Sequence, residues 1–156
     1  MNILIPMAGA GSRFQQVGYT FPKPLIEIDG KPMIQTVVEN LDFDDEHKHI
    51  FIVQKEHYDR FALNYLLPLI KPNCEIIQVD SVTEGAACTA LLAKEFINND
   101  ERLVIANSDQ IIDWFPSPPG GELYDRPIDG GVYMFLMLPT LRGALSQLPP
   151  QTKLRK

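Results

Sequence analysis

Apolar residues along this chain fall in short blocks that alternate with stretches of helical spacing. Residues 2–6 (Asn-Ile-Leu-Ile-Pro) are a short apolar run of the kind that forms a buried strand. Residues 25–28 read as a short extended segment, with a turn at Asp29-Gly30. Residues 31–41 read as a helix: Pro32 suits its first turn, and Ile34, Val37, Val38 and Leu41 fall on one face. Residues 50–53 are a second apolar strand. Tyr58, Phe61, Ala62, Tyr65, Leu66 and Leu69 then keep helical spacing until Lys71-Pro72 stops the helix. Residues 75–79 predict a third strand and 103–106 a fourth. Between them, 84–97 predicts a helix with a face of small residues, Ala86, Ala87, Ala90 and Ala93. Strands and helices alternating in this order predict an α/β domain with a mainly parallel sheet and right-handed crossovers. No internal repeat is visible.

Beyond Trp114 the pattern changes. Pro116, Pro118, Pro119, Gly120 and Gly121 predict a loop, and the apolar run 132–138 one further strand. After Asp129 the only charged residues are Arg142, Lys153, Arg155 and Lys156, and Pro139 and Pro149-Pro150 interrupt any regular element. The expected organisation is an α/β domain over 1–133 and an atypical basic, proline-containing tail over 134–156. A chain cut short, or shifted in reading frame after the Asp129-Gly130-Gly131 turn, would produce such an end.

Composition narrows the function. A chain of 156 residues, 45% hydrophobic and 22% charged, is long enough for one domain with a real core. The net charge of -6 argues against general binding to nucleic acid or an anionic membrane, while leaving room for a cationic pocket that takes small anionic substrates. Cys74 and Cys88 lack metal-ligand spacing and read as free buried thiols of a reducing cytoplasm. The N-terminus lacks a signal peptide, and no apolar run is long enough to span a bilayer. His47, His49 and His57 lie near predicted turns and read as solvated.

The candidate chemistry begins where the first strand ends. Met7-Ala8-Gly9-Ala10-Gly11-Ser12-Arg13-Phe14 is a glycine-rich turn whose backbone N–H groups can approach a ligand closely, followed by the planar donor fork of Arg13. It is not the dinucleotide fingerprint, because Arg13 and Phe14 stand where a third glycine is due. Nor is it a P-loop, since no Gly-Lys-Ser/Thr closes it. A second cation, Lys23, sits between Pro22 and Pro24, which bias their neighbours toward extended geometry. Ligands of open α/β sheets bind beyond the carboxyl ends of the strands. Two further segments meet that rule. Asn107-Ser108-Asp109-Gln110 follows the fourth strand and offers a carboxylate for a hard cation such as Mg²⁺; a turn-capping aspartate is the alternative. Thr83-Glu84-Gly85-Ala86-Ala87 opens the alanine-rich helix, where Glu84 can reach a base or ribose or simply favour the helix start.

Taken in order, Gly9-x-Gly11-x-Arg13, Pro22-Lys23-Pro24-Leu25 and Gly30-Lys31-Pro32-Met33-Ile34 resemble the signature of the sugar-phosphate nucleotidyltransferases, the NDP-sugar pyrophosphorylases. The resemblance covers the N-terminal two-thirds of the chain. It implies a Rossmann-like three-layer α/β/α fold in which Ala8, Gly9, Ala10, Gly11 and Ser12 cradle nucleotide phosphates. By the same likeness Arg13 neutralises departing pyrophosphate, Lys23 holds the sugar-phosphate or α-phosphate, Glu84 and Gly85 lie against the nucleotide, and Asp109 takes the first metal-binding position. The implied partners are an NTP and a sugar-1-phosphate, with Mg²⁺ as cofactor, no nucleic acid, no membrane, and a homo-oligomer left open. The sequence departs from the pattern at Glu84-Gly85-Ala86, where the family carries Gly-Thr-Ala, and at Ser108, where it more often has glycine. It also ends before the second metal-binding aspartate and the sugar wall; Asp113, Asp125 and Asp129 are substitutes that the spacing does not choose between. Two alternatives stand beside the leading reading: a cytidylyl- or guanylyltransferase acting on a non-sugar phosphate, and a nucleotide-binding module without catalysis.

Overall fold

The centre of the sheet is marked by β1, whose Ile3, Leu4 and Ile5 are all fully buried although they point alternately to opposite faces. The computed structural model describes residues 1–9, 18, 20–42 and 47–112. In chain order these form β1 (Asn2–Pro6), a 3-10 turn (Lys23–Leu25), β2 (Glu27–Ile28), β3 (Lys31–Pro32), α1 (Met33–Asn40), β4 (Lys48–Gln54), α2 (Lys55–Arg60), α3 (Leu63–Ile70), β5 (Glu75–Val79), α4 (Ala86–Leu91), α5 (Lys94–Ile97) and β6 (Leu103–Ile105).

The main sheet has the order β5-β4-β1-β6, and every pairing in it is parallel. Ile50, Phe51, Ile52 and Val53 of β4 are likewise buried on both faces. Each such side chain contributes about 1.5–3 kcal/mol when removed from water, so these two central strands dominate the core. On one face Ile3, Ile5, Phe51 and Val53 pack with α1 (Ile34, Val37, Val38) and α3 (Leu63, Leu67). On the other, Leu4, Ile50 and Ile52 pack with Ala90 and Ala93 from the α4–α5 segment. The result is the expected α/β/α sandwich. A separate hairpin pairs β2 with β3 around Asp29-Gly30, whose φ values of +50° and +81° are the left-handed pair that a two-residue turn requires.

Several local expectations change. The helix starts at Met33 rather than at residue 31, because Lys31 and Pro32 pair with β2. The 25–28 segment is extended at Ile26 and through β2; before it, Lys23–Leu25 turns in a 3-10 helix closed by Ile26 N–H donating to the Lys23 carbonyl, so Lys23 is not extended. The helix expected from Tyr58 to Leu69 is two helices, α2 and α3, broken where Ala62 adopts the left-handed conformation (φ 49°, ψ 44°). That break turns Leu63 and Leu67 inward and leaves Tyr65 and Leu69 exposed. The helix expected over 84–97 is also split, into α4 and α5; Ala90 and Ala93 are buried while Ala86 and Ala87 are exposed.

The histidines and cysteines differ too. β4 begins at Lys48, two residues earlier than expected, which places His49 inside the sheet opposite Ile3 and fully buried; His47 and His57 are half-buried. Both cysteines are free, but Cys74 is only half-buried and Cys88, on the outer side of α4, is exposed. The tail, Trp114 and the 132–138 run lie outside the described residues.

An L-residue held in the left-handed region loses about 1–2 kcal/mol, which glycine avoids at some cost in unfolded-state entropy. Ala62→Gly is therefore expected to stabilise the domain by about 0.5 kcal/mol, read as a raised urea midpoint at unchanged slope.

Candidate functional site

The strand order reverses at β1. From β1 the chain steps to β4 and β5 with α1, α2 and α3 between, then returns through α4 and α5 to lay β6 on the other side of β1. Such a reversal opens a crevice at the carboxyl ends of the two strands that flank it. The segments after β1 and β6 leave the sheet at this point.

On the β1 side, Met7 N–H still donates to the Ile52 carbonyl (2.9 Å), and the Ala8 carbonyl accepts from Gln54 Nε2 at the end of β4 (2.7 Å). Ala8 is buried and Gly9 is exposed. Among the described residues, a Cβ at Gly9 would meet no atom within 4 Å. On the β6 side, Ala106 N–H donates to the Leu4 carbonyl (2.9 Å), extending the β1 pairing by one bond. A turn then follows in which Asn107 Nδ2 donates to Gln110 Oε1 (2.8 Å). Asp109 lies in that turn, and its carboxylate is paired with the ammonium of Lys23, 86 positions earlier.

This pair joins two of the sequence-predicted site residues across the crevice. With side-chain exposures of 34% and 26%, both ions are partly withdrawn from water, which strengthens their attraction over that of a surface pair. Lys23 is aimed by its 3-10 turn. Leu25 N–H donates to the Pro22 carbonyl (2.9 Å), Pro24 is buried, and Met33 N–H, the first of α1, donates to the Ile26 carbonyl (2.9 Å).

The third segment also lies on the carboxyl side, between β5 and α4. The Gly85 carbonyl accepts from Thr89 N–H (3.0 Å), from Thr89 Oγ1 (3.1 Å) and from Thr83 Oγ1 (3.2 Å), while the Thr83 and Thr89 hydroxyls bond each other. These bonds fix the entry to α4 and leave Glu84 and Gly85 exposed. Ala90 of the same helix packs in one cluster with Ala8, which ties this segment to the end of β1. Beside the Lys23 turn is a cavity of about 160 Å³ lined by Phe21, Pro22, Gln54, His57, Arg60 and Val82, among others. Burial lowers the pKa of His57 and so favours its neutral form there.

Arg13, Ala10, Gly11 and Ser12 lie outside the described residues, as do Asp113, Asp125 and Asp129. Among the described residues no three acidic, histidine or cysteine side chains gather into a metal cage. Asp109 by itself fits the mode in which Mg²⁺ takes one or two carboxylates and fills its remaining positions with water and substrate phosphate. The cation now beside that carboxylate is Lys23, which shows that positive charge is accommodated there. Sequence reasoning missed two supporting residues, Gln54 and Asn40. Each is a polar residue closing an apolar block, and nothing in the spacing marks it further.

Comparison with known proteins agrees with this fold. The nucleotidyl transferase family model matches residues 3–117. The bifunctional protein GlmU of Methanococcus maripaludis (strain S2) is 33% identical over 116 residues, covering 72% of this chain and 26% of that protein. The 2-aminoethylphosphonate cytidylyltransferase of Lancefieldella rimae is 29% identical over 93 residues, covering 58% of this chain and 38% of its own length. A nucleoside-diphosphate-sugar pyrophosphorylase from Vibrio cholerae superposes with a TM-score of 0.57 at 26% identity, over 69% of this chain and 47% of that structure. The chain thus spans about a quarter of the GlmU relative and about half of the solved structure.

Proposed function

We propose, because the chain belongs to the nucleotidyl transferase family, that it joins an NTP and a sugar-1-phosphate to give an NDP-sugar and pyrophosphate. The observation that carries this reading is the meeting of Lys23 and Asp109 at the crevice between β1 and β6. In the proposed reaction a phosphate oxygen of the sugar-1-phosphate attacks the α-phosphorus of the NTP in line. The new P–O bond forms as the bond from the α-phosphorus to the bridging oxygen breaks, and the electron pair leaves with pyrophosphate. Such a displacement needs positioning and charge neutralisation more than covalent help.

The residues divide that work. The backbone from Ala8 to Ser12 receives the phosphates, and Gln54 fixes where that segment leaves the sheet by holding the Ala8 carbonyl. Arg13 answers the charge on the departing pyrophosphate. Lys23, released from Asp109, engages the reacting phosphate. Asp109 would hold Mg²⁺, which when bound supplies charge neutralisation between the phosphates. Thr83 to Gly85 presents the exposed edge that the nucleoside meets. The setting is the cytoplasm, and the product serves surface polysaccharide synthesis. Among the described residues no helix is long and apolar enough to cross a membrane.

A second reading, a cytidylyltransferase acting on a non-sugar phosphate or phosphonate, is favoured by the match to the 2-aminoethylphosphonate enzyme and by the departure at Glu84. One assay separates them: pyrophosphate release from each of the four NTPs against a panel of sugar-1-phosphates, phosphocholine and 2-aminoethylphosphonate. Release that requires a sugar-1-phosphate is the expected result. Release with CTP and a non-sugar acceptor selects the second reading, and nucleotide binding without release from any pair refutes catalysis by this chain.

A further inference from the structure

We infer that Asn40 is a positioning residue for the site: its side-chain amide tethers the Asp109 loop to the helix that also carries the Lys23 turn. Asn40 is the last residue of α1 and is half-buried. Its Nδ2 donates to the Ile112 carbonyl (2.9 Å), and its Oδ1 accepts from the Ile112 N–H (2.8 Å). One side chain thus satisfies both backbone groups of one residue, as a neighbouring strand would. Ile112 in turn packs against the core cluster on the α1 face.

The placement gives this contact its consequence. The segment from Ala106 to Ile112 leaves the sheet at the Ala106–Leu4 bond and is caught again at the Asn40–Ile112 pair, and Asp109, which meets Lys23, lies between these two anchors. At its other end α1 receives the Lys23 turn through the bond from Met33 N–H to the Ile26 carbonyl. A helix of eight residues, roughly 12 Å long, therefore sets the spacing between the phosphate-directed lysine and the metal-directed carboxylate. The bonds described for Asn40 go to the Ile112 backbone, not to Lys23 or Asp109. Asn40 acts by limiting where Asp109 can go, and outer contacts of this kind change metal affinity by about 10–100-fold when lost.

This inference rests on the reading of Lys23 and Asp109 given above, and the test separates the two. Wild type, Asn40→Ala, Asn40→Asp (which keeps the acceptor and loses the donor) and Asp109→Ala are compared in two measurements. Amide hydrogen exchange of the free protein is expected to speed up at residues 107–112 in both Asn40 variants, with β1 and β4 unchanged. Mn²⁺ binding in the presence of inorganic tripolyphosphate, followed by electron paramagnetic resonance, is expected to weaken about 10-fold in Asn40→Ala. Metal-free tripolyphosphate binding should stay within about two-fold, a split that general destabilisation would not produce. Unchanged exchange at 107–112, or unchanged Mn²⁺ affinity in the Asn40 variants while Asp109→Ala loses it, overturns the inference alone. Unchanged Mn²⁺ affinity in Asp109→Ala overturns the reading of the site and the inference with it.

Discussion

Exchange of Lys23 for alanine is expected to lower pyrophosphate release by about two to three orders of magnitude, the range found when one preorganised charge-stabilising donor is removed from a transition state. The argument starts from geometry. Lys23 is fixed by a 3-10 turn, with buried Pro24 beside it and α1 behind it, so its ammonium reaches the crevice at little further entropic cost. Its partner there is the carboxylate of Asp109, from the opposite wall. On the proposed reading the two residues serve the same reacting group, so Asp109→Ala should show a comparable loss, and the double variant should be little worse than either single one. Lys23→Arg should recover only a small part of the rate, because a planar fork does not replace a compact ammonium aimed from a tight turn. The melting temperature should hardly move in any of the four. A pair a quarter to a third exposed contributes at most about 1 kcal/mol. Initial rates at saturating substrates decide the matter, and an undiminished rate in Lys23→Ala removes the residue from the mechanism.

The second large effect concerns stability and pH. His49 is fully buried in β4 beside Phe51, its ring centroid 6.4 Å from that of Phe51. Its Nδ1 lies 3.4 Å from the His47 carbonyl, while Nε2 is buried and makes no hydrogen bond among the described residues. Burial pushes its pKa from 6.5 down to about 4, and the nearby Lys71 ammonium adds to this against the weaker opposing pull of Asp42. Lys71 and Asp42 are themselves bonded at 2.5 Å. Above pH 6.5 the histidine is neutral in folded and unfolded chains alike. As pH falls from 6.5 toward 4 the unfolded chain takes up a proton that the folded chain refuses, so stability declines across this window and levels off below it. The loss is about 3 kcal/mol. Urea titrations between pH 7.5 and 4 should show it, and His49→Leu should remove this component while leaving the shallower dependence of the carboxylates. An equal slope in both proteins would show that His49 is not the source.

Much of this was legible from residue order. The third strand was expected over 75–79 and lies there, and the Asp29-Gly30 turn was identifiable because Asp-Gly is one of the few pairs that readily supply two positive φ values. Asp109 could be placed at the site because it follows the fourth strand, where ligands of such sheets gather, and Lys23 because its Pro-Lys-Pro-Leu segment resembles that of the family. Periodicity failed where the backbone changed phase. The stripe from Tyr58 to Leu69 assumes an unbroken helix; Tyr58, Phe61 and Leu66 do pack against the core, but past the left-handed Ala62 it is Leu63 and Leu67 that are buried, while Tyr65 and Leu69 are exposed. His49 was misplaced because a polar residue beside an apolar run looks like a boundary, although the pairing opposite Ile3 carries the strand past it. Asn40 and Gln54 act on backbone atoms of distant segments, and a code read through side-chain spacing has no entry for such partners.

The placement of β6 also sets a timetable. Asn2 of β1 lies opposite Leu103, so the crevice joins the two ends of the described fold. The pairing of β1 with β4 and of β4 with β5 closes far shorter loops and can condense around Phe51 while the chain is still emerging from the ribosome. Among the described strands the β1–β6 pairing closes the longest loop, so the wall that carries Asp109 is expected to dock after β1, β4 and β5 have paired.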